Sequence, residues 1–124
     1  MHLTPANYPQ IKLPDLGSLV ERQDQLEWTP FAEGVEVHRL YGDGILGPSA
    51  TLIRFNQQAV IPLHEHVGYE HLYILAGSQR DQNGVASAGM FIINPPGTRH
   101  RVISETGCLV LAIYEKPVLF LEEE

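Results

Sequence analysis

From Gly34 onward the chain is a series of short apolar runs, each closed by residues that turn a backbone: GVEVHRLY, ATLIRF, VIPLHEH, EHLYILA, MFIIN, HRVIS, CLVLAIY and PVLFL. Runs this short are strand-length, and several alternate apolar with polar residues. The separators include Gly42-Asp43-Gly44, Asn56, Gly77, Asn83-Gly84, Gly89, Pro95-Pro96-Gly97 and Thr106-Gly107, all residues that accept or impose turn dihedrals. After residue 33 no stretch carries three turns of helical periodicity. The pattern predicts an all-β sandwich or barrel without internal repeats. Asn83-Gly84 is the strongest hairpin signal, since both residues tolerate positive φ.

Residues 1–33 read differently. Pro5, Pro9, Pro14 and Pro30 remove backbone donors and disfavour helix before them. The segment is expected to be an extended arm packed on the body, with a short helical turn around Leu16–Gln25 and Trp28 and Phe31 as anchors. Residues 34–124 then form the barrel, within one domain overall. At 124 residues and 44% apolar, the chain can bury a modest core without disulfides. Cys108 is the lone cysteine, which favours a reducing compartment, and it reads as a small buried residue of CLVLAIY. A net charge of −7 with only 8 scattered Lys and Arg leaves no basic stripe, Arg99 and Arg101 being the nearest thing to one, so nucleic acid is excluded as a partner. Glu122-Glu123-Glu124 reads as a solvated end. No charged region precedes a long apolar run at the N-terminus, and no segment approaches bilayer-spanning length, so a cytoplasmic protein without membrane contact is expected.

The chemistry is concentrated in four residues. In His64-Glu65-His66 the two histidines are two apart, and on a strand such residues share a face. Glu70 follows after Gly68. His100 lies far along the sequence, just past Pro95-Pro96-Gly97, yet a hairpin centred on Asn83-Gly84 places it opposite residue 67, between His66 and Glu70. Three imidazoles and a carboxylate suit Fe(II), Mn(II), Ni(II), Co(II), Cu(II) or Zn(II) and disfavour a calcium or magnesium cage. On an octahedral ion such a set leaves positions open. On tetrahedral zinc it closes the shell.

Neighbouring polar residues receive structural readings. Glu65 should point away from the metal and bond to a neighbouring strand. His71 should face away from Glu70, and His2 and His38 should be solvent-exposed. Arg54, in an apolar strand, needs a surface carboxylate. Tyr73 and Tyr114 are expected to pack amphipathically. Pro96 and Gly97 fit the two central positions of a type II turn that aims His100 inward.

Two segments resemble the paired motifs of the cupin superfamily. QQAVIPLHEHVGYEHLYILAG follows the first motif, G-x5-H-x-H-x3,4-E-x6-G, through His64, His66, Glu70 and Gly77, with Gln58 in place of the leading glycine. GMFIINPPGTRHRVIS follows the second, G-x5-P-x-G-x2-H-x3-N, through Gly89, Pro95, Gly97 and His100, with Ser104 in place of the final asparagine. The resemblance spans residues 58–104 and implies an RmlC-like jelly-roll, a double-stranded β-helix, holding one divalent ion with His64, His66, Glu70 and His100. WTPFAEGVEVHRLY, PLHEHVGYEHLYILAG, NPPGTRHRVISETGCLVL and the short spacer 78–88 are similar to the ChrR-like cupin group. Residues 1–33 lack the cysteines of the zinc-binding helical domain that precedes the cupin in that group's anti-sigma members, which implies a stand-alone member. The resemblance implies a metal-dependent, dioxygenase-like oxidoreductase for a small diketone or hydroxylated aromatic ketone. Its alternative is a zinc-binding sensor without turnover. It also implies a small-molecule ligand and a homodimer formed through the sheets, in keeping with apolar residues on both faces of CLVLAIY and VLFL.

Overall fold

Each of the eight apolar runs carries a strand in the computed structural model, which describes residues 10–122. His2, Glu123 and Glu124 lie outside the described residues. The chain enters through a 3-10 turn (Leu16–Ser18), one α-helical turn (α1, Leu19–Arg22) and a second 3-10 turn (Gln23–Gln25). Among the described residues ten strands follow: β1 Thr29–Ala32, β2 Val35–Tyr41, β3 Ser49–Phe55, β4 Ala59–Glu65, β5 Glu70–Asp81, β6 Gly84–Ser87, β7 Phe91–Asn94, β8 Arg99–Ser104, β9 Cys108–Tyr114 and β10 Leu119–Phe120. Two of them, β1 and β6, lie outside the eight runs. All pairings are antiparallel, in the order β1-β2-β3-β9-β5-β8-β4-β10, with β6 and β7 also on β5. This is the all-β cupin jelly-roll, a curled sheet closed around an apolar interior.

The twelve-residue β5 joins the two halves of the curl. Its first part pairs with β9 and β7, and its last part pairs with β6 and β8. The crossing point is Gly77, at φ +74°, where a Cβ would overlap the carbonyl oxygen of Gly107. Only glycine fits there, for reasons of both dihedral and space.

The central hairpin differs from expectation in position. Asp81 pairs with Gly84, so the turn is Gln82-Asn83, one residue earlier than Asn83-Gly84. Asp81 accepts the Asn83 N–H at 2.8 Å, and Gly84 opens the return strand at φ +118°. The β5–β7 and β4–β8 pairings nest around that turn, and His100 falls opposite His64, not residue 67.

Two bulges then decide which residues face inward. In β4, Ala59 and Ile61 point into the barrel; an extra residue at Pro62–Leu63 flips the parity, and His64 and His66 point inward after it. In β5, Glu70, Leu72 and Ile74 are buried; a second bulge before Ala76 turns Gln79 and Asp81 to the interior. Pro62 is tolerated because a bulge needs no ladder donor from it.

The interior is filled by Val35, Phe55, Ile61, Leu72, Ile74, Val102, Val110 and Ala112. A second cluster lies outside the β3–β9 wall, where Leu52 and Leu109 are covered by Leu19, Leu16, Trp28 and Leu111. Apolarity on both faces of β9 is therefore largely taken up within the chain, by the segment preceding β1. Trp28 donates its indole N–H to the Gln23 carbonyl at 2.8 Å, and the Arg54 guanidinium lies 4.3 Å over its ring. Arg54 has the expected carboxylates, Asp24 at 3.1 Å and Glu36 at 2.8 Å. His38 is half-buried rather than exposed, because its ring packs on Trp28 and its Nδ1 meets the Glu27 carbonyl at 2.8 Å. Phe31 packs instead against Phe120. Cys108 is buried, and burial pushes its thiol up to about 11. None of the described helices is long and apolar enough to cross a membrane.

Both departures from the cupin motifs have a local explanation. Gln58, where the motif has glycine, is the sole non-glycine among the described residues with positive φ, at 68°. Its N–H is tied to the Ser104 carbonyl at 2.7 Å. Ser104, where the motif has asparagine, is fully buried and donates its hydroxyl to the Ser78 carbonyl at 2.6 Å, linking β8 to β5.

Gln58 and Gly77 should respond in opposite ways. Gln58→Gly relieves left-handed backbone strain of about 1–2 kcal/mol and adds about 0.4–1 kcal/mol of unfolded-state entropy, so urea denaturation should show a change between neutral and about 1.6 kcal/mol stabilising. Gly77→Ala should cost more than about 3 kcal/mol in the same assay, since backbone must move to admit the methyl group.

Candidate metal centre

The parity flip at Pro62–Leu63 puts His64 at the end of β4 and His66 just beyond it, both facing inward. Glu70 opens β5, and His100 is the second residue of β8, paired with His64. All four are buried. Ring centroids lie 4.6 Å apart for His64–His100 and His66–His100, and 5.2 Å apart for His64–His66. One ring nitrogen from each of the three lies within 4.8 Å of the others. Glu70 Oε1 is 3.1 Å from His66 Nε2.

The other ring nitrogens fix the tautomers. His64 Nδ1 lies 2.7 Å from the Pro62 carbonyl, which can only accept. His100 Nδ1 lies 2.7 Å from the Asp81 carboxylate. His66 Nδ1 lies 2.9 Å from Thr98 Oγ1, whose own proton goes to the Pro95 carbonyl at 2.6 Å, so the hydroxyl accepts from His66. Each Nδ1 therefore carries the hydrogen, and each Nε2 presents a lone pair. His66 Nε2 is fully buried and has no aligned hydrogen-bond partner, although Glu70 Oε1 is beside it. A lone pair facing a carboxylate oxygen without a proton on the line between them is the donor set of a cation. The residues present thus fit a borderline divalent ion.

Electrostatics agree with this donor set. Burial pushes His64 below histidine's ordinary value; His100 and His66 add to this, while the Pro62 carbonyl and Glu70 oppose it. Burial pushes the Glu70 carboxyl up; a proton shared from His66 Nε2, with the Asn94 amide at 3.0 Å, outweighs burial and brings it below the ordinary range, and a cation between Nε2 and Oε1 would take that proton's place. His64 is thus biased to the neutral form a metal binds, and Glu70 to the ionised form.

The structure brings His64, His66 and His100 together as a group that could hold a metal ion, and Glu70 lies beside it, 3.1 Å from His66. Glu65 points away and takes Arg99 of β8 at 2.8 Å. His71 stacks on Tyr69 and Phe91, away from the site. The Pro95–Thr98 turn has Gly97 at φ +86°, and it clamps both partners of the site: Gly97 N–H donates to the His66 carbonyl at 2.8 Å, and His66 N–H to the Thr98 carbonyl at 2.9 Å. Tyr114 does more than pack, since its hydroxyl accepts from Arg39 at 3.1 Å. Sequence reasoning missed Asp81, Thr98, Asn94 and Arg39. Thr98 was open to notice, two residues before His100 at the close of the Pro-Pro-Gly turn. Asp81 was not, because the bulge in β5 sets its direction.

A family model described as the ChrR cupin-like domain matches residues 17–118. Among solved structures, an RmlC-like cupin protein from Ralstonia eutropha JMP134 superposes with a TM-score of 0.71 at 27% identity, covering 81% of this chain and 69% of that one. The complex of Rhodobacter sphaeroides SigE with the anti-sigma ChrR superposes with a TM-score of 0.66 at 26% identity, over 74% of this chain and 50% of that chain. An acetylacetone dioxygenase from Acinetobacter johnsonii shares the fold with a TM-score of 0.74 at 14% identity, over 99% of this chain and 82% of that one. No curated protein matches the sequence.

Two measurements follow. Asp81→Ala removes the acceptor that holds the His100 tautomer and should weaken Zn(II) affinity about 10–100-fold in a competitive chelator titration, with Asp81→Asn losing less. The lowered His64 pKa means the folded chain binds fewer protons than the unfolded one. Its stabilising contribution is therefore complete above the ordinary value of 6.5 and is lost as pH falls below it, through the folded pKa. Melting temperature and metal retention should both drop on acidification from about pH 7.5 to about pH 5.5, with protons competing for the Nε2 lone pairs.

Proposed function

The chain belongs to the ChrR cupin-like domain family, and on that premise we propose that it is a metal-dependent oxidoreductase of dioxygenase type. Its substrate is a small diketone or hydroxylated aromatic ketone, and one divalent ion is held by His64, His66, His100 and Glu70. The observation that carries this reading is the meeting of three buried histidines, beside a carboxylate, at a site that reaches a largely apolar cavity through His64 and Glu70. That cavity, of ≈ 110 Å³, has His64 and Glu70 in its wall beside Phe31, Ile53, Ile61, Val118 and Phe120.

When bound, the metal supplies Lewis acidity toward ketone oxygens and redox capacity. The chain's own residues supply the rest. The apolar walls exclude water and fit a small organic body, with the Phe120 ring 5.8 Å from that of His64. Glu70, which accepts the Asn94 amide hydrogen at 3.0 Å, is a carboxylate facing the cavity, placed to take an acidic C–H or O–H proton from the substrate. The shared fold with an acetylacetone dioxygenase over nearly the whole chain supports the reading.

A second reading is a sensor in which all four residues close a zinc shell and no turnover occurs. Similarity to the SigE–ChrR complex favours it. Anaerobic loading with Fe(II), followed by oxygen uptake with β-diketones and hydroxyacetophenones, separates the two. Uptake above that of free iron is expected; none across the panel, with four-coordinate zinc in protein purified without added metal, would replace the enzyme reading with the sensor.

A further inference from the structure

The interior of the barrel holds one cation that the metal centre does not use. On β2, Val35, Val37 and Arg39 alternate toward the inside, in register with Phe55, Ile53 and Thr51 of β3. Arg39 thus projects from the same wall as core residues. Its hydrogen bonds among the described residues go to neutral hydroxyls: Nη1 donates to Tyr114 OH at 3.1 Å and to Thr51 Oγ1 at 3.4 Å. Among the described residues no carboxylate lies within ion-pair distance of it, whereas Arg54, Arg80 and Arg99 each meet one. The acidic residue nearest in sequence, the exposed Asp43, spends its Oδ1 on the N–H groups of Ile45 and Leu46, at 2.8 and 3.1 Å, and feels the Arg39 charge only from beyond ion-pair distance. Glu70 is engaged by His66 and Asn94.

Arg39 also lines the cavity that reaches His64 and Glu70, with Tyr114 beside it. The loop between β2 and β3 closes over it: Gly44 has φ +73°, and a side chain there would overlap the guanidinium. A guanidinium is always charged, and its Nε and Nη2 hydrogens have no acceptor among the described residues. A neutral ligand filling the cavity would desolvate this charge with no carboxylate at ion-pair distance to offset it. A carboxylate would answer it through two parallel charge-assisted hydrogen bonds.

We propose that Arg39 is the anion-binding residue of this cavity and that the ligand is a ketone bearing a carboxylate at the end away from the metal centre. The proposal rests on the ketone reading above and narrows it to acids. In this arrangement the carbon body would lie in the cavity that Arg39, His64 and Glu70 line together, with the ketone end toward His64 and Glu70. Tyr114, which pairs with Glu70 across β9 and β5, positions the guanidinium.

The test uses succinylacetone, a β-diketone with a carboxylate two methylenes away, and its uncharged methyl ester. Both are titrated calorimetrically into the full chain loaded with Zn(II). Wild type should bind the acid at least about tenfold more tightly than the ester, with the difference shrinking as salt is raised. Arg39→Gln should abolish the preference while metal stoichiometry and ester affinity stay within about threefold of wild type, and Arg39→Lys should retain part of it. Equal affinity for acid and ester in wild type overturns the proposal without any variant, as does binding of neither or a preference that survives Arg39→Gln. Oxygen uptake with the Fe(II) form is read separately: a carboxylate preference without uptake overturns the dioxygenase reading and leaves the Arg39 assignment standing.

Discussion

The site depends on one extra residue in β4. Without the bulge at Pro62–Leu63, the alternation that buries Ala59 and Ile61 would carry on to Leu63 and Glu65, and both histidines would face solvent. With it, a strand that begins as core wall ends as a ligand surface. Pro62 serves this twice. It occupies a position that needs no ladder donor, and its carbonyl takes the Nδ1–H of His64. The departure from regular sheet geometry and the orientation of the first ligand therefore share one residue.

The same economy runs through the rest of the centre. Each histidine is held by a group whose position is set by the fold: a bulge carbonyl, the hydroxyl of a clamped turn, and a carboxylate delivered by the bulge in β5. Asp81 also caps the central turn through its second oxygen, so the hairpin and the His100 tautomer depend on one side chain. Because the imidazoles are anchored from behind, their lone pairs meet before any ion arrives, which reduces the ordering cost of binding.

Much of this was legible in the sequence because it is local. Strand-length runs and their separators carry the architecture; His-x-His, Glu70 and the Pro-Pro-Gly turn before His100 carry the site. The nested hairpin brought His100 to the right neighbourhood but three positions off, since the turn sits at Gln82-Asn83 and two bulges reset the register. Bulges leave little sequence signature, so Asp81, whose direction they decide, could not be foreseen. Arg39 was invisible for a different reason: its meaning comes from the lack of a carboxylate at ion-pair distance among the described residues, which only three-dimensional packing shows. The apolarity of both faces of β9 has a partner that strand patterning does not reveal, since the helical turn around Leu19 and the Trp28 ring cover part of one face from within the chain.

The central claim is that three Nε2 lone pairs, each freed by a hydrogen bond at Nδ1, converge on one metal ion. Long-range proton–nitrogen NMR of the imidazoles in the Zn(II)-loaded protein at neutral pH tests it directly. The account predicts that His64, His66 and His100 each show a protonated Nδ1 and a metal-shifted Nε2, while His38 and His71 are unchanged by zinc. A protonated Nε2 on any of the three, or a zinc shift at Nδ1, would contradict it.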